Sequence, residues 1–410
     1  VSNFSCDLKA DFAQNDGGIR LNRPGPMPLL AHRPMQQGET PMSGSKGSRF
    51  EGDLPGAEPS SVTRRNVLNK AMALTALTLV PAARSRPARA QDAGGGIATA
   101  AVPPQRGPKP GTWLVLLGTR AGPGIDITRG QTGSAVVVDG RPYLVDCGYG
   151  TLRQLVASNV GYLQISTIFF THLHDDHTGD VPALLSFQWT NGKTTVTDAY
   201  GPFGTNRLIA ASVAVIRSNV EIRTADEGRT VDADAQFHGH DVSAADAPIQ
   251  VFKDDRITVT AIENTHFPPR SKAKMMHRSL ALRLDTKDRS IVFAGDTAYS
   301  ANVARLARGA DVLVCEIADA GMLAQMEERS KAAAAAGNPN NIFRHVAETH
   351  SSPADVARMA TEANVKMVVL NHQLAGPTVG NLAYPVTAFI QGVRQGYSGE
   401  VIVGQDLMVL

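Results

Sequence analysis

Only three cysteines occur in the 410 residues of this chain. Cys6 falls in the opening segment, while Cys147 and Cys315 lie inside apolar, strand-like runs. Their spacing supports no disulfide framework, and both read as small buried residues. An excess of either charge is also missing, since 40 Lys+Arg against 38 Asp+Glu leave +2. The first 90 residues hold 12 basic and 7 acidic side chains, so the remainder carries about −3. A mildly acidic body gives no electrostatic reason to hold a polyanion. Long hydrophobic runs are absent too. The apolar stretch from Ala71 to Val80 is too short and too rich in Ala and Thr for a stable membrane anchor. The glycine-rich Gly118-Thr119-Arg120-Ala121-Gly122-Pro123-Gly124 lacks a following Lys-Ser/Thr and a helical pattern, which argues against a P-loop.

Residues 1–60 are rich in Gly, Pro, Ser and Gln and show no sustained periodicity. They cannot bury a core, and read as disordered or as an over-extended gene start, with Met42 a plausible later one. Residues 61–90 combine Arg64-Arg65, the modest apolar run and Ala88-Arg89-Ala90, and resemble a twin-arginine export signal. That resemblance implies export machinery as a partner and a periplasmic or secreted location. Residues 91–111 read as a Gly/Pro-rich linker, and 112–410 as one catalytic domain.

What is present centres on Thr171-His172-Leu173-His174-Asp175-Asp176-His177-Thr178-Gly179-Asp180. A short β-branched and aromatic run, Ile165 to Phe170, predicts a buried strand before it. Apolar spacing at Val181, Leu184 and Leu185 predicts a helix after it. Three imidazoles and a carboxylate within six residues are costly if left unpaired inside a protein, and a metal ion satisfies them together. Neutral imidazoles with carboxylates suit zinc and similar divalent ions. His172 and His174, two apart, project the same way from an extended loop, while Asp176 and His177 can face a second ion.

Three more metal-competent side chains each stand just past a predicted strand: His266 after Ile257 to Ile262, Asp296 after Ser290 to Phe293, and His372 after Val368 to Leu370. A hairpin is expected across Gly140-Arg141. It places Asp146 at a buried strand end, where its carboxylate would hold a metal-loop group in place.

The pattern H-x-H-x-D-H at a strand end resembles the metallo-β-lactamase superfamily, whose fold is an α/β, four-layer αββα sandwich with two metals at the sheet edges. The resemblance assigns His172, His174 and His266 to one ion, Asp176, His177 and His372 to the other, and Asp296 to the bridge. It implies two zinc ions, with manganese or iron as alternatives, and an open position for a shared hydroxide, which Asp176 would orient or deprotonate. Leu117-Gly118-Thr119, Leu144 to Thr151, Asp311 to Glu316 and Thr349-His350-Ser351-Ser352-Pro353 are similar to ribonuclease Z and its arylsulfatase-type relatives. There, a histidine at the His350 position helps the leaving group depart, supported by an acidic residue, here Glu316. Members of this branch are often dimers.

Long ribonuclease Z enzymes insert a tRNA-gripping arm between the positions of His266 and Asp296, which lie only 30 apart here. The extra length lies in Arg217 to Pro248, which has little hydrophobic patterning and reads as a surface loop over the site, with His238 and His240 as a further metal-competent pair. Phe267, Trp189 and Tyr299 are candidate pocket walls. Arg270 and Lys272, with Lys274 and Arg278, form a basic cluster suited to recruiting an anion. The Ala-rich run Lys331 to Ala336 predicts a helix without chemistry. Missing arm, acidity and export together predict an exported dinuclear zinc hydrolase of a small phosphodiester or aryl sulfate ester, with no nucleic acid partner. The alternatives are a tRNA 3′-processing endonuclease of ribonuclease Z type and a lactone or β-lactam hydrolase.

Overall fold

The computed structural model describes residues 110–269, 274, 276–339, 341–374 and 386–410. The opening segment, the export-type segment and residues 91–109 of the linker lie outside the described residues, as do Arg270 and Lys272. No helix among the described residues is long and apolar enough to cross a membrane.

Among the described residues, thirteen strands build two sheets. The first holds β1 (Thr112–Gly118), β2 (Gly133–Val138), β3 (Arg141–Cys147), β4 (Thr167–Phe169), β5 (Thr197–Pro202) and β6 (Phe237–Val242), in that order. The second holds β7 (Ile249–Lys253), β8 (Thr258–Glu263), β9 (Leu280–Asp285), β10 (Ser290–Phe293), β11 (Val312–Ala318), β12 (Met367–Leu374) and β13 (Glu400–Val403), again neighbour by neighbour. Each sheet starts antiparallel and becomes parallel, at β3–β4 and at β10–β11. The parallel strands therefore all deliver their C-terminal ends to one rim. The β2–β3 hairpin turns at Asp139-Gly140, with φ of 46° and 84°, one residue earlier than expected. Asp-Gly supplies the two left-handed residues that such a tight turn needs.

Among the described residues, ten α-helices flank the sheets: α1 (Thr151–Ala157), α2 (Asp175–Thr178), α3 (Val181–Thr190), α4 (Thr205–Glu227), α5 (Ala233–Gln236), α6 (Ala301–Leu306), α7 (Ala320–Ala335), α8 (Ile342–Thr349), α9 (Pro353–Ala363) and α10 (Val386–Arg394). Leu114, Leu116, Tyr143, Phe169, Val259, Leu282 and Val314 fill the space between the sheets. Leu144, Ile168, Leu184, Trp189, Ile209 and Val213 join the first sheet to α3 and α4. Val292, Leu313, Val303, Val356, Met359 and Phe389 join the second sheet to α6, α9 and α10. The result is the αββα sandwich. Val115 in β1 bridges Val409, so the C-terminal segment covers that sheet's outer edge.

The expected loop over the site from Arg217 to Pro248 is not a loop. Ile209, Val213, Ile216 and Val220 form one buried stripe along α4, which runs on to Glu227 and stops at Gly228 in the left-handed region. A stretch opening at Arg217 retains only Val220 of that stripe, which hides its period. His238 and His240 then fall on β6, the edge strand, where His240 pairs with Asp198 at 2.7 Å and stacks on Tyr200.

Candidate metal centre

The rim at the parallel strand ends gathers the histidine motif. After β4 the chain runs extended through Thr171 to His174, then makes the single turn of α2 that carries Asp176 and His177. His172 Nε2 and His174 Nδ1 lie 3.0 Å apart, and His266 Nε2 is 3.3 Å from the same His174 nitrogen. Beside this triad, His372 Nε2 approaches Asp176 Oδ2 at 3.2 Å and Asp296 Oδ2 at 3.1 Å, and His177 Nε2 lies 3.3 Å from Asp296 Oδ1. Asp296 also reaches His172 at 3.7 Å, so its carboxylate stands between the two groups. Each group offers donor atoms within 4.8 Å of one another. His177 Nε2 and Asp296 Oδ1, both buried, have no hydrogen-bond partner among the described residues although they face each other. Orphaned buried donors converging in this way fit divalent metal ions, and the nitrogen and oxygen set fits zinc.

Two strand irregularities aim this machinery. The register between β2 and β3 slips so that Asp146 is an extra residue, with φ of 59°. The register between β11 and β12 slips in the same way at His372, with φ of 37°. A bulged residue leaves the ladder and re-aims its side chain, and both side chains point into the site. Asp146 accepts from Thr171 N at 2.8 Å and lies 2.9 Å from His177 Nδ1. It thereby fixes both the histidine loop and one imidazole.

Electrostatics divide the histidines. Burial holds His172 and His266 well below the usual histidine range, which favours the neutral form, the one in which an imidazole can bind a metal. Burial opposes charge on His177 and His372 as well, but carboxylates outweigh it. Asp296, Asp176 and Asp146 hold His177 well above its usual value, and Asp296, Asp176 and Glu316 push His372 up to about 10. Asp296 is itself held well below the carboxylate range, as His372, His177 and His172 overcome its burial.

Glu316, at the end of β11, lies 2.6 Å from His350 Nδ1 and 3.4 Å from His372 Nδ1, and accepts from Thr297 N. Burial disfavours charge on His350, yet Glu316 raises its pKa above the ordinary value. His350 stacks on His372 with ring centres 5.7 Å apart. Phe267 packs against His266 and His174 at 4.9 and 5.5 Å.

Two expected pocket walls lie elsewhere. Trp189 is buried in the α3–α4 core, with its indole donating to Val231 O. Its apolar helix face drives it inward rather than to the rim. Tyr299 turns to α9, where its hydroxyl donates to Glu362 and Arg358 stacks at 3.6 Å. Of the basic cluster, Lys274 and Arg278 are both engaged by buried Glu263. His345 was not singled out from the sequence. It sits on α8, with ring centres 4.8 Å from His266 and 5.6 Å from His350, and burial lowers its pKa to about 4. Its place five residues before His350 is the one available signal.

These features define a metallohydrolase, and comparison with known proteins agrees. Residues 141–373 match the Beta-lactamase superfamily domain. The chain belongs to this superfamily, and is a metal-dependent hydrolase acting on ester bonds. Its relatives include proteins named Ribonuclease Z. The one from Mycobacterium avium (strain 104) is 29% identical over 72% of this chain and 96% of its own length. That from Mycobacterium sp. (strain KMS) is 30% identical over 69% and 93%. The metallo-β-lactamase fold protein YhfI from Bacillus subtilis superposes with a TM-score of 0.52 at 16% identity, over 73% of this chain and 98% of its own, and shows the same fold.

These relatives overturn the expectation of a hydrolase of a small phosphodiester or aryl sulfate, and with it the exclusion of a nucleic acid partner. Two inferences failed. Net charge averages over a whole surface, whereas phosphates are met by local groups. The missing insert between His266 and Asp296 also excludes little, because the chain aligns over nearly the full length of the proteins named Ribonuclease Z.

Proposed function

We propose that the chain is a tRNA 3′-processing endonuclease of ribonuclease Z type, working with two zinc ions. The observation that carries this is 30% identity across 93% of a protein named Ribonuclease Z, joined to a rim where His350 and Glu316 complete the metal groups. His172, His174 and His266 would hold one ion and Asp176, His177 and His372 the other, with Asp296 between them. When bound, the ions supply a nucleophile near neutral pH and neutralise charge developing on the phosphate.

The protein's own residues do the rest. Asp146 keeps His177 in one orientation, and Glu316 keeps His350 protonated and aimed. As the bond between phosphorus and the ribose 3′-oxygen breaks, the His350 proton passes to that oxygen, leaving a 3′-hydroxyl on the tRNA and a 5′-phosphate on the trailer.

The test is incubation of the zinc-loaded chain with a precursor tRNA bearing a 3′ trailer, with and without chelator. One chelator-sensitive cut at the end of the tRNA body is expected. An intact precursor, under conditions where bis(p-nitrophenyl) phosphate is hydrolysed, would remove tRNA as the substrate. Fractionation of the tagged full chain addresses the cellular role, because residues 61–90 resemble an export signal. Maturation of cellular tRNA requires retention inside the cell, and wholly periplasmic recovery would rule that role out.

A further inference from the structure

The helical hairpin of α7 and α8 brings His345 to the rim, outside the two metal groups described above, with one ring nitrogen within 4.8 Å of nitrogens on both His266 and His350, a further set whose atoms lie close enough to hold an ion. Met322 and Met326 of α7 pack with Ala121, Ala318 and Leu374, and Phe343, Val346 and Ala347 of α8 close over them. Asn341 caps α8 by accepting from Arg344 N at 2.9 Å. This packing fixes His345 on the opposite helix face, above His266 and beside His350.

His345 differs from His177 and His350, each of which lies against a carboxylate. Asp146 holds His177, and Glu316 holds His350, whereas among the described residues His345 Nδ1 meets only the Thr349 hydroxyl, at 3.4 Å. That hydroxyl already donates to His345 O at 2.7 Å, so in the weak contact it accepts, and among the described residues the imidazole makes no other hydrogen bond or ion pair. One ring nitrogen of His345 lies within 4.8 Å of one on His350. Neighbouring imidazoles at that spacing can each reach one of two vicinal oxygens, since each hydrogen bond spans about 2.8 Å. In RNA, the oxygen vicinal to the ribose 3′-oxygen is the 2′-hydroxyl, the group that separates RNA from DNA.

We infer that His345 contacts the ribose 2′-hydroxyl next to the scissile bond, while His350 serves the 3′-oxygen, so that the pair makes the site selective for RNA. This rests on the endonuclease reading above. His345 is then a catalytic-site contact to substrate and not a metal ligand.

The experiment compares an all-ribose precursor tRNA with one carrying a single 2′-deoxy nucleotide immediately 5′ of the cut. Single-turnover rates are measured for wild type, His345→Ala and His345→Gln, and the metal content of each protein is determined in parallel. The deoxy substitution should slow wild type about tenfold, the worth of one hydrogen bond. It should make no difference to His345→Ala, which should cut both substrates near the slow rate with wild-type metal content. His345→Gln, which keeps a hydrogen-bonding group, should recover part of the discrimination. An equal deoxy penalty in wild type and His345→Ala overturns the inference, as does loss of metal from both variants. The all-ribose control with wild type stands apart: failure to cut it removes the endonuclease reading itself.

Discussion

Asp146 and His177, 31 residues apart, meet at 2.9 Å because a bulge in β3 turns the aspartate out of its ladder. The carboxylate sets which His177 nitrogen faces the metal group and strengthens it as a ligand. Asp146→Asn should therefore lower metal affinity about 10–100-fold with little change in fold. Metal titration followed by activity checks this, and excess zinc should restore turnover. Unchanged affinity would mean that Asp146 serves the loop only through Thr171.

Gly122 makes a second such constraint. Its N–H donates to Asp176 Oδ2 at 2.7 Å, and a Cβ added there would stand 2.4 Å from the same carboxylate. Gly122→Ala must push Asp176 away from His372. The expected result is weaker binding of one of two metal equivalents, by about tenfold or more, visible in metal analysis after dialysis. Full retention of both equivalents would show that the loop yields instead.

His350 and Glu316 should separate metal binding from turnover. His350→Ala is expected to keep its metals and lose about 10²–10⁴-fold in rate. In Glu316→Gln the charge that raises the His350 pKa is gone. His350 then loses its proton at lower pH, and the alkaline limb of the rate profile should move toward acid. A profile that stays in place would dissociate His350 from proton delivery.

Without metal, stability should depend on pH in a defined window. His372 is raised from 6.5 to about 10 in the folded protein, so its ion pairs stabilise fully below pH 6.5 and are lost as pH rises through about 10. Asp296 is depressed, so its contribution is lost in the other direction, as pH falls through its lowered value. The Tm of chelated protein should decline between pH 6.5 and 10. Zinc-loaded protein should lack that decline, since coordination replaces the proton. Parallel alkaline curves with and without chelator would show that the histidines are not the ligands.

Much of this centre was legible in the chain. The spacing of His172, His174, Asp176 and His177 after an apolar run is local information, since strand, loop and one helical turn act over a few residues. His266, Asp296 and His372 could be picked out because each follows a short apolar strand. Trp189 and Tyr299 could not be placed, because an aromatic residue near a motif can turn to the core or to the rim, and packing decides between them. The α4 stripe was lost to a window that began too late.

Local sequence thus determined that metal-competent groups would stand at strand ends, because side-chain chemistry and short-range periodicity do not depend on partners. Only the tertiary structure decided how they are aimed. The bulges at Asp146 and His372 come from register between strands, the reach of Glu316 to both His350 and His372 from parallel pairing of β11 with β12, and the position of His345 from a helical hairpin packed on Ala121 and Leu374. Register and packing join residues far apart in the chain, so no short stretch can encode them alone.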